Sequence, residues 1–73
     1  MYKKEIKLSQ ETVREFVNAA NKCSFDINLG YDRMTVNAKS IMGVYSLDLS
    51  HSLTVRYAQK DDAFECMLNR FAA

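Results

Sequence analysis

The sequence predicts an α+β fold: a two-layer, open-faced sandwich in the order β-α-β-β-α-β-α. It has a four-stranded antiparallel sheet with three helices on one face. Three observations carry that prediction. Apolar and polar residues alternate in several short runs, so each run makes a strand with one face to bury. The segments between them switch to helical spacing and supply matching apolar stripes, and layering the two is the economical way to bury both. Proline is absent and glycine occurs only at 30 and 43, so no linker divides the 73 residues and a single domain, 1–73, is expected.

Residues 2–8 alternate, with Tyr2, Lys4, Ile6 and Leu8 on one side and Lys3, Glu5 and Lys7 on the other. That is a strand with one wet face. From Ser9 the period changes. Val13, Phe16, Val17 and Ala20 fall at i, i+3, i+4 and i+7, one stripe of a helix. Ser9 is placed to cap it, and Glu11 suits its positive end. Residues 24–29 alternate again with Phe25, Ile27 and Leu29 inward. Residues 30–33 (GYDR) read as a turn, and 34–37 return as a strand with Met34 and Val36 inward, so 24–37 form a hairpin. Residues 41–47 read as a short apolar helix. Leu53, Val55 and Tyr57 then share one face of a fourth strand. The last helix carries Phe64, Met67, Leu68 and Phe71 as its stripe, with Asp61 and Asp62 at its start and Arg70 near its end, both suited to its dipole.

Composition excludes several classes. Apolar residues make up 48% of the chain, enough for one core without disulfides, and the formal net charge is +1 with both signs interspersed. A direct nucleic-acid partner is therefore not expected. No run is long and apolar enough for a membrane span and no signal-peptide pattern is present, so a soluble cytoplasmic protein is expected. Cys23 and Cys66 read as reduced, small buried groups. With His51 they show no CxxC or HxxxH spacing, so neither a metal site nor a cofactor is expected. His51, the chain's one histidine, reads as a solvated loop residue. The pairs Asp26/Asp32 and Asp61/Asp62 lack the features of a general acid/base couple.

The segment VNAKSIMGVYSL, residues 36–47, is the informative one. Ser40 stands where a helix N-cap belongs. Ile41, Met42, Val44, Tyr45 and Leu47 cover more than one stripe, so a two-turn helix leaves some of them exposed. A serine at a helix start beside exposed apolar groups suits a phosphoserine, because free N–H groups and the helix dipole favour negative charge. It equally suits a partner-binding surface made of Lys39, Ile41, Met42 and Tyr45.

That run resembles the HPr family, the small phosphocarriers of the bacterial sugar phosphotransferase system. VNAKSIMGV.SL is similar to the signature around the family's regulatory serine in low-GC Gram-positive bacteria, and FVNAANKC..DI.L resembles its first helix and second strand. The resemblance implies the same fold. It also implies that Ser40 is a substrate of the ATP-dependent HPr kinase, and that Ile41, Met42 and Tyr45 meet the kinase, Enzyme I and the catabolite control repressor. A monomer or weak dimer fits those implications.

One departure outweighs the match. The family carries its phosphoryl group on a histidine in a motif like G-[IL]-H-A-R-P-A at the start of the first helix. Counting back from FVNAAN, this chain has SQET there, with Ser9 at the histidine, Glu11 at the arginine and Thr12 at the proline. A serine ester does not hand its phosphoryl group on as a phosphoimidazole does. A carboxylate repels what a guanidinium clamps. The reading is therefore a regulatory, protein-binding module with no catalytic residue, similar in logic to a catabolite-repression paralogue that also lacks the histidine. The alternative is a divergent phosphocarrier charged by Enzyme I. Arg33 in place of a turn glycine, a shortened loop near Ser50–Ser52 and a short last helix are further departures.

Overall fold

Period-two alternation becomes strand at four places in a computed structural model that describes residues 1–73. The strands are β1 (Tyr2–Ile6), β2 (Ile27–Tyr31), β3 (Met34–Asn37) and β4 (Leu53–Tyr57). The helices are α1 (Val13–Asn21), α2 (Ile41–Tyr45) and α3 (Asp62–Arg70). The sheet runs β1-β4-β2-β3, every pair antiparallel. This is the α+β open-faced arrangement expected from the sequence.

Register explains the core. Ile6 pairs with Leu53, and Leu29 lies between Val55 and Val36, so the inward positions of neighbouring strands form one apolar patch. Onto it pack Val13, Phe16, Val17 and Ala20 of α1 and Phe64, Met67 and Leu68 of α3, all buried. Each large side chain so buried contributes roughly 1.5–3 kcal/mol before chain entropy is counted. Phe64 stands edge-on to Tyr57, ring centroids 5.4 Å apart, and so joins α3 to β4. Asp61 caps α3, accepting from the Phe64 N–H at 2.9 Å. Beyond α3 the chain returns to β1: the Lys7 N–H donates to the Phe71 carbonyl at 2.8 Å, and Ala72 bridges to Ile6. No helix is long and apolar enough to cross a membrane.

Several boundaries differ from expectation. Ser9 does not cap the helix itself. Its carbonyl accepts from the N–H groups of both Thr12 and Val13, closing a turn that delays α1 to Val13. β1 ends at Ile6, although Leu8 is still buried, and β2 starts at Ile27. β2 also runs through Gly30 and Tyr31, so the reversal is confined to Asp32 and Arg33. The positive φ of that turn, 51°, falls on Asp32, and Arg33 does not have one. Aspartate tolerates this region better than most residues, which removes the need for glycine at 33. Met34 is 46% exposed because β3 is an edge strand with little beyond it to bury against. α2 ends at Tyr45, with Leu47 buried just past it. Cys23 is buried but Cys66 lies on the exposed side of α3, and both are free thiols.

Candidate functional site at the Ser40 helix

α2 is held by one inward residue. Val44 is fully buried, and Ala38 before the helix and Leu47 after it anchor its ends. A five-residue helix has a single stripe to spend, so the rest face outward. Met42 is 80% exposed and Tyr45 45%, while Ile41 packs half-buried at the margin of the core.

Ser40 is the N-cap in extended conformation, and its Oγ accepts from the Gly43 N–H at 3.1 Å. The residue is exposed. A Cβ at position 43 would lie 3.3 Å from Ser40 Oγ and 3.4 Å from Val36 Cβ, so glycine there keeps the space beside the hydroxyl open.

Lys39 is half-buried, and its ammonium donates to the Cys23 carbonyl at 2.8 Å. Asn21 Nδ2 donates to the Lys39 carbonyl at 3.0 Å and to Val17 O at 2.9 Å. The two bonds tie the entry to α2 onto the end of α1. Lys39 thus offers its aliphatic stem to this surface more than a free charge. Burial, together with the Asp61 charge, raises the Cys23 thiol pKa against the opposing pull of Lys39, so this sulfur stays protonated.

The start of α1 lies beside α2. Tyr45 Oη donates to the Gln10 carbonyl at 3.3 Å. Within residues 9–12 the polar groups satisfy each other: the Ser9 N–H donates to Thr12 Oγ1 at 2.9 Å, and the two hydroxyls are 3.3 Å apart. The Glu11 carboxyl is held below its ordinary pKa by its own backbone N–H and by the Ser9 hydroxyl, so it is a full negative charge at neutral pH. With Ser40, Met42 and Tyr45 exposed, the α2 surface can dock a protein surface and can present the Ser40 hydroxyl for esterification.

His51 belongs to the loop after α2. Its ring stacks on Tyr31 with centroids 4.3 Å apart, and Nε2 is 3.6 Å from Asp48 Oδ2. The Ser50 hydroxyl and N–H, with His51, hold Asp48 below the usual carboxylate range. The loop is fastened by Lys7, whose ammonium donates to Ser50 O at 2.9 Å. The sequence had no signal for the Lys39–Cys23, Tyr45–Gln10 or Tyr31–His51 contacts, since each joins residues at least 16 apart through one polar or ring contact.

Known proteins share this fold. The family model described as PTS HPr component phosphorylation site matches residues 3–72. The structure is similar to the phosphocarrier protein HPr from Bacillus anthracis, with 29% identity, a TM-score of 0.72, and 96% of this chain and 93% of that one covered. It is similar to HPr-C-His from Thermoanaerobacter tengcongensis, with 30% identity, a TM-score of 0.73, and coverage of 93% and 89%. It is also similar to Crh, the catabolite repression protein of Bacillus subtilis, with 26% identity, a TM-score of 0.66, and coverage of 94% and 87%. The Crh structure is described as a domain-swapped, intertwined dimer.

Proposed function

This chain belongs to the HPr family of the phosphotransferase system, and from that premise we propose that it acts as a regulatory, protein-binding module through the Ser40 helix. It does not relay phosphoryl groups through a histidine. The observation that carries this reading is the turn that leads into α1. Ser9, Gln10, Glu11 and Thr12 occupy it, and the chain's one histidine, His51, sits in the loop after α2. Transfer between partners needs a labile phosphoramidate and cationic donors around it. Ser9 offers a stable ester, and Glu11 brings a charge of the wrong sign.

Ser40 supplies what a switch needs. Its Oγ would attack the γ-phosphate of ATP in the HPr kinase site, losing its proton as ADP departs. The resulting ester places about two negative charges at the head of α2. The Gly43 N–H, which now bonds Oγ, is positioned for a phosphate oxygen, and Arg or Lys on a partner supplies the rest. Met42 and Tyr45 then provide the adaptable apolar and aromatic contacts common at protein interfaces. A catabolite control repressor is the partner this combination suits, in line with the role named for Crh.

The test is calorimetric titration of a catabolite control repressor with the chain phosphorylated at Ser40. Met42→Ser, at a fully outward position, should weaken binding about tenfold without changing Tm. Equal affinity for wild type and Met42→Ser would remove α2 from the interface.

A further inference from the structure

The two edges of the sheet are finished differently. Residues 71–73 run back along the outer edge of β1 and cover it. The Lys7 N–H donates to the Phe71 carbonyl at 2.8 Å, the Ala73 N–H donates to the Glu5 carbonyl at 3.1 Å, and Ala72 bridges to Ile6. No strand pairs with the outer edge of β3. Exposed edges are commonly protected by lysine, proline or a bulge. β3 reads Met-Thr-Val-Asn, with neither charge nor proline, and its pairing with β2 runs without a bulge.

Register tells which backbone groups lie on that edge. The Ala38 N–H donates to the Ile27 carbonyl at 2.9 Å, so Ile27 and Ala38 form a hydrogen-bonded pair. Bonded and non-bonded pairs alternate along an antiparallel ladder. Leu29–Val36 and Tyr31–Met34 are therefore bonded pairs, and the backbone groups of Thr35 and Asn37 point away from β2. The Asn37 carbonyl is taken by the Ser40 N–H at 3.0 Å. The Thr35 N–H, the Thr35 carbonyl and the Asn37 N–H are left for a further strand. Exposed Met34 and half-buried Val36 share the helix-facing side with Leu29, while exposed Thr35 lies on the other side.

We infer that the β3 edge is a self-pairing surface, and that its occupant is β3 of a second copy of this chain, antiparallel and centred on Thr35. Self-complementarity selects the occupant. With the two Thr35 residues opposite each other, each donates its N–H to the other's carbonyl. Their side chains meet on the outer face, a favourable cross-strand pair. Met34 of each copy lies against Val36 of the other, which covers the exposed thioether. Arg33 falls opposite Asn37 and Asp32 opposite Ala38, so no like charges meet. The register centred on Val36 is poorer. It sets Arg33 against Lys39 and needs the Asn37 carbonyl already bonded to Ser40. A strand of four residues buries well under the roughly 1,200 Å² of a stable complex, so the dimer is weak and exchanges quickly. Each copy keeps all of its own strands. The inference does not depend on how Ser40 is used.

The experiment follows the intact, unmodified chain by backbone amide shifts and sedimentation from about 20 μM to about 2 mM. The expected shifts move continuously and cluster at Met34–Asn37, while the average mass rises. Thr35→Pro removes the outward N–H but no bond to β2, a place where an edge strand accepts proline. It should weaken association about tenfold or more and leave Tm near wild type. Met34→Lys puts a charge against Val36 and should weaken it about tenfold, again with Tm unchanged, and it decides the matter if the proline variant folds poorly. Arg14→Gln, on α1, should change neither quantity. No concentration dependence up to about 2 mM, or equal association in both β3 variants, would overturn the assignment. So would shifts centred on α2, or a slowly exchanging second set of signals along β1, which would mean exchange of that strand between copies. An unrelated threonine–valine peptide that shifts the same amides at lower concentration would replace the second copy with a foreign strand.

Discussion

Tyr45 donates its hydroxyl to the Gln10 carbonyl, so the outward residue of α2 also fastens the turn that leads into α1. The bond is 3.3 Å long and exposed, so its own worth is small. Tyr45→Phe should cost about 0.5 kcal/mol in urea unfolding. Its clearer effect is local: amide exchange at Gln10–Thr12 should quicken while the sheet amides are unchanged.

Ser40 contributes to stability apart from any modification. Removing the acceptor for the Gly43 N–H in Ser40→Ala should cost about 1 kcal/mol. Ser40→Asp keeps a capping oxygen and should stay near wild type by thermal denaturation. The pair therefore separates loss of the cap from loss of the hydroxyl in any binding assay.

Gly30 is required by the close approach of β2 and β3. A Cβ there would lie 1.9 Å from the Met34 carbonyl oxygen, which belongs to the backbone and cannot swing aside. Gly30→Ala should destabilise the domain by about 3 kcal/mol, a lower urea midpoint with a similar slope.

Glu65 links stability to pH. Burial alone would raise its pKa, but the Tyr57 hydroxyl and the Lys4 ammonium, 3.1 Å away, outweigh it and hold the carboxyl below its ordinary value of 4.5. The same contact works on Tyr57, whose hydroxyl pKa is raised by burial and by the carboxylate it donates to. A depressed folded-state pKa stabilises fully above the unfolded value and is lost as pH falls through the folded one. Stability should hold above about pH 4.5 and decline below it. In Glu65→Gln the protein should be less stable at neutral pH and its acid decline shallower, as read from Tm against pH.

Much of the architecture was legible because burial repeats along the chain. Ile6, Leu29 and Val55 mark strand faces by period two, and Val13, Phe16, Val17 and Ala20 mark a helix face by period 3.6. Ser40 was legible as a cap for the same local reason. What escaped depends on position in the assembled sheet. Met34 alternates like an inward residue, but its strand is at the edge. The turn settled on Asp32 because the β2–β3 register carries pairing through Gly30 and Tyr31. Cys66 lies next to the buried stripe residue Met67 yet is exposed. Around the candidate site, the exposed residues of α2 followed from its short length. The fastening of Lys39 to Cys23 and of Tyr45 to Gln10 did not, because single polar contacts between distant segments leave no periodic trace.

The measurement that tests the regulatory reading most directly is intact mass after two separate incubations, one with HPr kinase and ATP, the other with Enzyme I and phosphoenolpyruvate. The account predicts one phosphate from the kinase, absent in Ser40→Ala, and none from Enzyme I. An acid-labile phosphate acquired from Enzyme I would contradict it and make the chain a divergent carrier.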